Sequence, residues 1–389
     1  MKVLIAGAGI AGLTLAYWLR RSGHDIVLVE KSPSLRHEGY MIDFFGTGYD
    51  VAEKMGILPD LETIHYPTPR LAFLDGNGRQ KFSLNYAAVR RLFGGRHFNF
   101  MRGDLERVLY TKVKDNVRLR FETTIEMCRQ EEQKSNVQVT LSNGTTDEFD
   151  LVIGADGVHS QVRKQTFGAE QRFRRFLGYY TAAFILPGRP REVCPETLYT
   201  LTVPGRQVSV YPIRGDKAAT FFIHKAQRLV SDFSSETAVR ELRAVYGGLG
   251  WVVPELLERC DRPSMYFDEV LQIEMPRWSA DRIVLVGDAC QCVSLLAGQG
   301  ASMAMGGAYV LAEELTRSGD LASALRSYEQ RVKPAIEKKQ RMGRRMAGWF
   351  VPNSGLRMAT NDLFTRMAQW PVAWRLVKRL IAPESIISS

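Results

Sequence analysis

The stretch KVLIAGAGIAGLTLAYWLRRSGHDIVLVE, residues 2–30, decides the fold of this 389-residue chain. An apolar run at residues 2–6 leads into a glycine-rich turn, a segment with apolar residues at helical spacing that ends at Gly23, and a second apolar run at residues 25–30. Short β-branched apolar runs are typical of buried parallel strands. The order strand, glycine turn, helix and strand therefore predicts an α/β protein that begins with a parallel sheet.

Three glycines of this unit, Gly7, Gly9 and Gly12, have the G-x-G-x-x-G spacing of dinucleotide-binding folds. The first permits a tight turn, the second lets the backbone approach a pyrophosphate, and the third lets helix and strand pack closely. The N-terminus of the following helix offers free N–H groups and a partial positive charge to phosphates. Glu30, at the end of the second strand, can hold the ribose hydroxyls of adenosine. This context predicts dinucleotide binding rather than a simple turn.

The rest of the chain contains two predicted hairpins, a predicted sheet and a long helix. Residues 70–84 and 136–156 place the turn sequences DGNG and NG between apolar runs, which predicts hairpins. Residues 178–224 hold several strand-like runs that predict an antiparallel sheet, and residues 301–317 predict a strong helix. From about residue 321 the chain is predicted to be helical, with a break at residues 351–355.

These segments suggest a division into three parts, which we expect to be a Rossmann-like cofactor-binding domain, an antiparallel-sheet domain for substrate and a set of C-terminal helices. The expected bounds are residues 1–69, 101–175 and 265–330 for the first, 70–100 and 176–264 for the second, and 331–389 for the third.

Composition argues against several classes of protein. With 45% hydrophobic and 24% charged residues, the chain resembles an ordinary globular protein, and no run of eighteen apolar residues predicts a transmembrane segment. The N-terminus does not resemble a signal peptide, so a cytoplasmic location is expected.

The formal net charge is +10, but from residue 316 onward there are 14 lysines and arginines against 5 acidic residues. This distribution predicts no nucleic-acid groove.

The sequence GDACQCVSLLAGQG, residues 287–300, places Cys290 and Cys292 one residue apart. Five scattered cysteines do not form a disulfide framework, and no second ligand pair suggests zinc, so no metal is expected. We interpret both cysteines as small, buried, apolar residues, with a redox pair as the alternative.

Further motifs identify a family. Arg102 and Leu105 begin a predicted helix, whereas Asp156-Gly157 and Gly287-Asp288 follow apolar strands, where open α/β sheets bind ligands. Together with the glycine motif, and in this order, they resemble class A FAD-dependent monooxygenases, the single-component aromatic hydroxylases. The resemblance to this family covers nearly the whole chain. Within the family, the spacing and pattern of Cys292, Ser294 and Leu296, the strand TAAFILP (residues 181–187) and the helical C-terminal extension resemble the tetracycline-inactivating enzymes.

The resemblance implies a noncovalently bound FAD and assigns its contacts. Asp288 would lie at the ribityl and pyrophosphate region, and the G-Q-G segment would lie beside the isoalloxazine ring. The helix after that segment would point its N-terminus toward the ring edge where reduced flavin is negative. The full set of expected cofactor residues is Gly7, Gly9, Ala11, Gly12, Glu30, Lys31, Arg102, Leu105, Asp156, Gly157, Gly287, Asp288, Gly298, Gln299, Gly300 and Ala301.

The resemblance also implies a reaction. NADPH or NADH would reduce the flavin, O2 would form a C4a-hydroperoxide, and one oxygen would pass to an aromatic or polycyclic polyketide-like substrate, tetracycline-like compounds included. The partners would then be a small substrate and O2, with the chain a monomer or homodimer. The alternatives are a flavin-dependent reductase or saturase of a hydrophobic substrate and a non-catalytic flavoprotein. A flavin-dependent halogenase is disfavoured because its W-x-W-x-x-I-P pattern is absent.

Two positions depart from the family pattern. Gln291 stands where many members have histidine, and Leu295 stands where they have the proline that borders the flavin. The second change concerns how oxygen approaches the flavin and leaves flavin binding intact.

Candidates for substrate contact and catalysis come from the predicted sheet. Its aromatic residues suggest an apolar pocket, although strand alternation alone does not tell which face meets the substrate. No catalytic residue is assigned; Tyr211, His224 and Tyr266 are possible bases, and Arg214 is interpreted as a turn residue. The expected substrate residues are Phe184, Tyr199, Tyr211 and Phe222.

The C-terminal segment carries an apolar stripe at roughly helical spacing, with cations between its members. We expect it to pack across the two domains, with an anionic membrane surface as the alternative. The stripe consists of Leu356, Leu363, Phe364, Met367, Trp370, Trp374, Val377 and Ile381.

Overall fold

The computed structural model describes residues 1–35, 40–67, 69–86, 94–130, 135–230, 232–260, 265–367 and 385–387. Its strands, in chain order, are β1 Lys2–Ala6, β2 Asp25–Val29, β3 Met41–Phe45, β4 Arg70–Leu74, β5 Gln80–Asn85, β6 His97–Met101, β7 Arg118–Arg120, β8 Ile125–Gln130, β9 Val137–Leu141, β10 Thr146–Phe149, β11 Leu151–Gly154, β12 Arg174–Pro187, β13 Thr197–Val203, β14 Arg206–Ile213, β15 Lys217–Lys225, β16 Tyr266–Ile273, β17 Ser279–Ala280 and β18 Ile283–Leu285.

The α-helices are numbered in the same way. They are α1 Ile10–Arg21, α2 Thr47–Met55, α3 Leu58–Ile64, α4 Arg102–Thr111, α5 Gln161–Phe167, α6 Ser235–Tyr246, α7 Val253–Glu258, α8 Asp288–Gln291, α9 Gly300–Arg317, α10 Leu321–Phe350 and α11 Gly355–Met367.

A six-stranded sheet forms the first layer, in the order β17-β18-β11-β1-β2-β7. Its neighbours run parallel, except that β17 is antiparallel to β18. Val3, Leu4 and Ile5 are fully buried in β1, as expected for a strand covered on both faces. The chain leaves β1 toward β2 and later returns on the other side as β11, so a crevice opens at the carboxyl ends of these strands. The predicted α/β fold is confirmed.

A seven-stranded sheet forms the second layer, in the order β16-β12-β15-β14-β13-β4-β5. Its pairs are antiparallel except for β13 with β4. The two predicted hairpins form as β4 with β5 and as β9 with β10. One face of the large sheet packs against α6 and α7 through a core that includes Leu242 and Leu256. Its other face is therefore the one that meets the rest of the molecule.

Two strands lie in a different sheet from the one that the expected three-part division suggests. β6, placed with the substrate sheet, pairs instead with β3 of the cofactor-binding part. β16, placed with the cofactor-binding part, is the edge strand of the seven-stranded sheet beside β12. The bound at residue 331 falls inside α10, one continuous helix from Leu321 to Phe350. Hydrophobic runs identified the strands, whereas strand partners depend on contacts far apart in the sequence.

The C-terminal helices lie over the edge of the large sheet. Lys81 pairs with Asp362, and Arg366 donates to the carbonyl oxygen of Lys81 at 3.0 Å. The Gly205 N–H donates to the carbonyl oxygen of Pro352 at 2.8 Å. Of the predicted apolar stripe, Trp370, Trp374, Val377 and Ile381 lie outside the described residues. Among the described helices, none is long and apolar enough to cross a membrane.

Candidate active site

A cavity of about 580 Å³ lies where the carboxyl ends of the parallel strands face the large sheet. The glycine turn, the N-terminus of α4 and the segment before α9 line one part of it. Strands β13 and β14 and the end of α10 line another part. Residues of both layers and of the C-terminal helices therefore border one space.

The glycine turn is built by close backbone approach. Gly7 has φ +102°, and a Cβ there would lie 2.4 Å from the carbonyl oxygen of Ala155 on β11. A Cβ on Gly12 would lie 1.9 Å from the carbonyl oxygen of Gly7. Gly9 faces the cavity instead, where a Cβ would meet only side-chain atoms at 3.6 Å or more. The first and third glycines thus serve packing, and the second leaves bare backbone beside the cavity.

Positive charge gathers at the glycine end of the cavity. The N-terminus of α1 has no acidic residue in its first turn and no side-chain cap among the described residues, so its N–H groups face the cavity. Arg102 lies beside it and pairs with the buried Glu106 at 3.0 Å. The Glu106 carboxylate raises the pKa of Arg102 further above its ordinary value, so this guanidinium is a permanent cation. The combination suits a phosphate group.

Glu30 holds the glycine turn in place. Its Oε2 accepts from the Ala8 N–H at 2.8 Å, and its Oε1 accepts from the Ser32 N–H at 3.0 Å. Each oxygen keeps a further lone pair, so the carboxylate can also accept hydroxyl donors. Lys31 beside it is exposed and does not line the cavity.

The Asp156 side chain has a structural role at the start of α5. Its Oδ2 accepts from the N–H groups of Gln161 and Val162, and its Oδ1 accepts from the Ser160 hydroxyl at 2.5 Å. Burial raises the pKa of Asp156 against these hydrogen bonds. The carboxylate therefore caps α5, and it is Gly157, with φ +77°, that lines the cavity beside it.

Asp288 projects into the cavity from the start of α8. Burial raises the pKa of Asp288 above its ordinary value, although the nearby Arg102 acts in the opposite direction. Gly287 before it has φ +64°, and a Cβ there would lie 2.6 Å from the Cβ of Ala11. The glycine is therefore required for the turn that presents Asp288 to the cavity.

Arg163 connects the two motif turns and was not identified from the sequence. Its side chain is fully buried and donates to the carbonyl oxygens of Ala289 at 2.9 Å and Val158 at 2.7 Å. A third hydrogen bond, of 3.0 Å, reaches Glu170. An arginine in the first turn of a short helix usually faces solvent, so the local sequence pattern gave no signal for this role.

The N-terminus of α9 forms the far end of the cavity. Gly298, Gly300 and Ala301 line it, and a Cβ on either glycine would meet nothing within 4 Å. The first turn of α9 contains no acidic residue. Gln299, in contrast, is buried and accepts from Lys339 of α10, so its side chain acts as a link between helices. Bare backbone and a helix dipole therefore face this end.

The two departures from the family pattern have different positions. Gln291 is buried, donates to the Tyr328 hydroxyl at 2.6 Å and lies against Gly307 of α9, away from the cavity. Leu295 lines the cavity and begins a 3₁₀ turn. Just before it, Ser294 has φ 79° and ψ 152°, a conformation that costs energy for any residue except glycine. Only the Leu295 difference bears on the cavity.

The cysteines of this segment are free thiols, as are the other three. Cys290 is buried, and the Sγ of Cys292 donates to the carbonyl oxygen of Leu271 at 3.4 Å. Burial raises the pKa of both thiols well above the ordinary value. Thiols with raised pKa values are poor nucleophiles, which supports the interpretation as buried small residues.

The large sheet presents a different set of aromatic residues from the one expected. Phe184 and Phe222 stack on each other at 5.6 Å in the core against α6 and α7, and Tyr199 packs on Trp251 at 5.2 Å. Of the four expected substrate residues, Tyr211 lines the cavity, whereas Phe184, Tyr199 and Phe222 are not part of its lining. An aromatic patch that does line the cavity consists of Tyr40, Phe221 and Tyr266. The Tyr40 ring centre lies 5.9 Å from that of Phe221 and 6.0 Å from that of Tyr266.

None of the suggested bases has the properties of one. Tyr211 accepts from the Met41 N–H at 2.8 Å, and burial raises its pKa. Burial likewise raises the pKa of Tyr266. His224 is buried on the helical face of the sheet, away from the cavity, and burial lowers its pKa to about 4. Arg214 donates to the carbonyl oxygen of His65 at 2.8 Å, so it holds a loop.

The cavity fits a flavin dinucleotide. A permanent cation and a free helix N-terminus suit the pyrophosphate, Asp288 offers a carboxylate between the two ends, and bare glycine backbone leaves room for a flat ring. Half of the expected cofactor residues line the cavity and half do not. Gly9, Ala11, Arg102, Gly157, Asp288, Gly298, Gly300 and Ala301 line the cavity. Gly7, Gly12, Glu30, Lys31, Leu105, Asp156, Gly287 and Gln299 are not part of its lining.

In the described part of the chain, no group of three or more histidine, cysteine or acidic side chains is arranged to hold a metal ion.

The fold and site together define an FAD-dependent oxidoreductase. Residues 1–341 match the family described as FAD binding domain, and the chain belongs to that family. More particularly, it belongs with the class A FAD-dependent monooxygenases, as the following relatives show.

A flavin-dependent monooxygenase from an unknown prokaryotic organism is 34% identical over 345 residues, covering 88% of each chain. The flavin-dependent monooxygenase eupH of Phoma sp. is 32% identical over 390 residues, covering 92% of this chain and 90% of the relative. Among solved structures, tetracycline destructase Tet(55) superposes with a TM-score of 0.82 at 31% identity, covering 93% of each chain. The chain is therefore an FAD-dependent monooxygenase.

Proposed function

We propose that this monooxygenase uses NADPH or NADH and O2 to hydroxylate an aromatic or polycyclic polyketide-like substrate, with tetracycline-like compounds among the candidates. The observation that carries the proposal is the shared cavity, in which cofactor-facing backbone and the wall of the large sheet border one space. The similarity to a tetracycline destructase and to a fungal monooxygenase supports this choice of substrate class.

The bound flavin supplies the redox and oxygen chemistry. The residues of the chain bind, orient and exclude water. Arg102 and the N-terminus of α1 would hold the pyrophosphate, and the N-terminus of α9 would favour negative charge on the ring. Tyr40, Phe221 and Tyr266 offer ring faces to a flat substrate. Trp349 and Phe350 at the end of α10, which also line the cavity, shield it from water.

The single-chain organisation supports transient use of the nicotinamide, because one glycine motif serves the flavin. We also propose that the functional unit is a monomer or homodimer. We propose further that the chain is organised as an FAD domain, a substrate sheet that includes β16, and C-terminal helices.

The test is oxidation of NADPH and of NADH by the holoenzyme, with and without a panel of phenols, anthraquinones and tetracyclines. We expect stimulated oxidation with at least one compound and a product heavier by about one oxygen atom, as a flavin monooxygenase delivers. Arg102→Met should lose FAD and activity together, whereas the exposed Arg191→Met should keep both. Bound FAD with no stimulated oxidation by any member of the panel would favour a reductase or saturase and would implicate Leu295.

A further inference from the structure

A cluster of polar side chains lines the substrate part of the cavity, and none of the residue roles described so far uses it. It is built on the antiparallel pair β3 and β6, where Asp43 lies opposite Asn99. The Oδ1 of Asp43 accepts from His97 Nε2 at 3.0 Å and from the Tyr86 hydroxyl. The network favours the Asn99 amide orientation in which its nitrogen donates to Asp43 Oδ1 at 3.3 Å and its oxygen accepts from Tyr86 at 3.0 Å.

These donors keep the Asp43 carboxylate ionised. Burial acts to raise the pKa of Asp43, but donation by His97 and then by Tyr86 outweighs it, and the pKa falls below its ordinary value. The His97 side chain is only 1% exposed, so it cannot leave the carboxylate for solvent without disturbing the fold. The result is a negative charge fixed in direction at the edge of the cavity.

One oxygen of this carboxylate remains available. All the hydrogen bonds that Asp43 accepts from these side chains reach Oδ1, and no described residue donates to Oδ2. The Asp43 side chain is 52% exposed, and the space it faces is the cavity. A carboxylate held by one oxygen and open at the other is arranged to accept a donor from a bound molecule.

The sheet wall of the same cavity is polar rather than purely apolar. Thr200 and Ser209, opposite each other on β13 and β14, place their hydroxyl oxygens 3.1 Å apart. Next along the strands, the Thr202 hydroxyl donates to Gln207 Oε1 at 3.3 Å. All four residues line the cavity. Each of these groups keeps donor or acceptor capacity beyond the hydrogen bond that it makes within the row, so the row can bind oxygen substituents of a ligand.

We propose that Asp43 is a substrate-binding residue that accepts a hydrogen bond from a ring hydroxyl, so that the substrate is a multiply hydroxylated polycycle. The proposal rests on the proposed function and specifies its substrate class. No proton is transferred, because a carboxylate of lowered pKa is a strong acceptor and a weak base toward a phenol. His97 and Tyr86 are positioning residues that hold the acceptor, and the row on β13 and β14 binds further oxygen substituents.

The experiment compares two probes on the holoenzyme, a dihydroxyanthraquinone and its dimethyl ether, by the change in flavin fluorescence on titration. We expect the wild type to bind the dihydroxy compound about 10- to 100-fold more tightly than the ether, as a charge-assisted hydrogen bond gives. Asp43→Asn should erase most of that preference. Asp216→Asn, at a side chain that is 75% exposed, should preserve it. His97→Gln should reduce the preference less than Asp43→Asn, because the acceptor stays.

FAD affinity is measured for every variant, so that a cofactor role separates from a substrate role. The proposal is contradicted if wild type binds both probes equally or binds neither, if Asp43→Asn keeps the preference, or if that variant loses FAD while the preference is kept. The proposed function can survive each of these results, because oxidation and mass gain with another substrate would still be seen. Conversely, a kept preference without any oxygenated product would reject the function and not the binding site.

Discussion

The guanidinium of Arg163 donates to the carbonyl oxygen of Ala289 at 2.9 Å, and this joins the turn after β11 to the helix after β18. The same guanidinium reaches the carbonyl oxygen of Val158 at 2.7 Å. Residues of both segments, Gly157 and Asp288 among them, line the cavity. One buried cation therefore fixes the spacing between two stretches that line the cavity, although its own side chain is not part of the cavity lining.

Arg163→Met should therefore weaken both fold and cofactor binding. The change removes a buried cation from Glu170 and leaves two carbonyl oxygens without their donor, so we expect the free energy of unfolding to fall by roughly 3 kcal/mol. Urea denaturation measures this loss, and FAD fluorescence measures the accompanying loss of affinity. Arg191→Met, at an exposed arginine, should change the unfolding free energy by less than about 0.5 kcal/mol. Equal stability of the two variants would show that the Arg163 bridge is dispensable.

Gly12→Ala tests the packing role of the third glycine. Its Cβ would lie 1.9 Å from the carbonyl oxygen of Gly7. Because that oxygen belongs to the backbone, it cannot move aside alone. We expect destabilisation of about 3 kcal/mol or failure to fold, at the upper end of overpacking costs. Gly319→Ala, where a Cβ meets nothing within 4 Å, is the control and should fold normally. Thermal unfolding of the two proteins compares them, and a stable Gly12→Ala protein would refute this account of the turn.

Ser294 provides a test of backbone strain beside the cavity. It has φ 79°, and its buried hydroxyl has no hydrogen-bond partner among the described residues. Ser294→Gly should raise the free energy of unfolding by about 1 kcal/mol, because glycine adopts this conformation without strain. Ser294→Ala removes the hydroxyl and keeps the strain, so it should stabilise less. If the two variants were equally stable in urea, the hydroxyl and not the backbone would be the source of the cost.

His159 links the two layers in a pH-dependent way. Its ring lies 3.6 Å from Asp268 of β16 and 3.1 Å from Glu170, and these carboxylates raise the pKa of His159 to about 9 from its ordinary 6.5. Because the folded pKa is the higher one, the stabilisation is fully present below pH 6.5 and is lost as pH rises through about 9. The side chain is 53% exposed, so solvent screening keeps the effect small.

The stability difference between wild type and His159→Gln should therefore be largest near pH 6 and vanish near pH 10. Denaturation curves at several pH values measure it, with both proteins at the same ionic strength. A difference that grows with rising pH would have the wrong sign for a protonated histidine between two carboxylates.

Much of the fold followed from the sequence because its signals are local. The βαβ unit and both hairpins formed as predicted, and the predicted break after α10 lies between Phe350 and Gly355. The motif spacing likewise identified the family and its flavin. These features depend on periodicity and turn residues close together in the chain.

The substrate wall could not be predicted in the same way. Both faces of the large sheet are buried, so β12 and β15 are equally apolar on each face. The sequence pattern therefore could not tell that Phe184 and Phe222 lie on the face that packs against the helices. Nor did spacing reveal that Asp43 and His97, far apart in sequence, meet across β3 and β6. Such relationships depend on which strands pair, and that is decided by the packing of the whole domain.

The most direct test of the central claim is the mass of the product formed by the FAD-loaded enzyme with NADPH, O2 and a multiply hydroxylated polycycle. The account predicts a gain of about 16 mass units, one oxygen atom, in step with NADPH consumed and absent without the enzyme. If the substrate stimulated NADPH oxidation but the product contained no additional oxygen atom, the account of a hydroxylating monooxygenase would be contradicted.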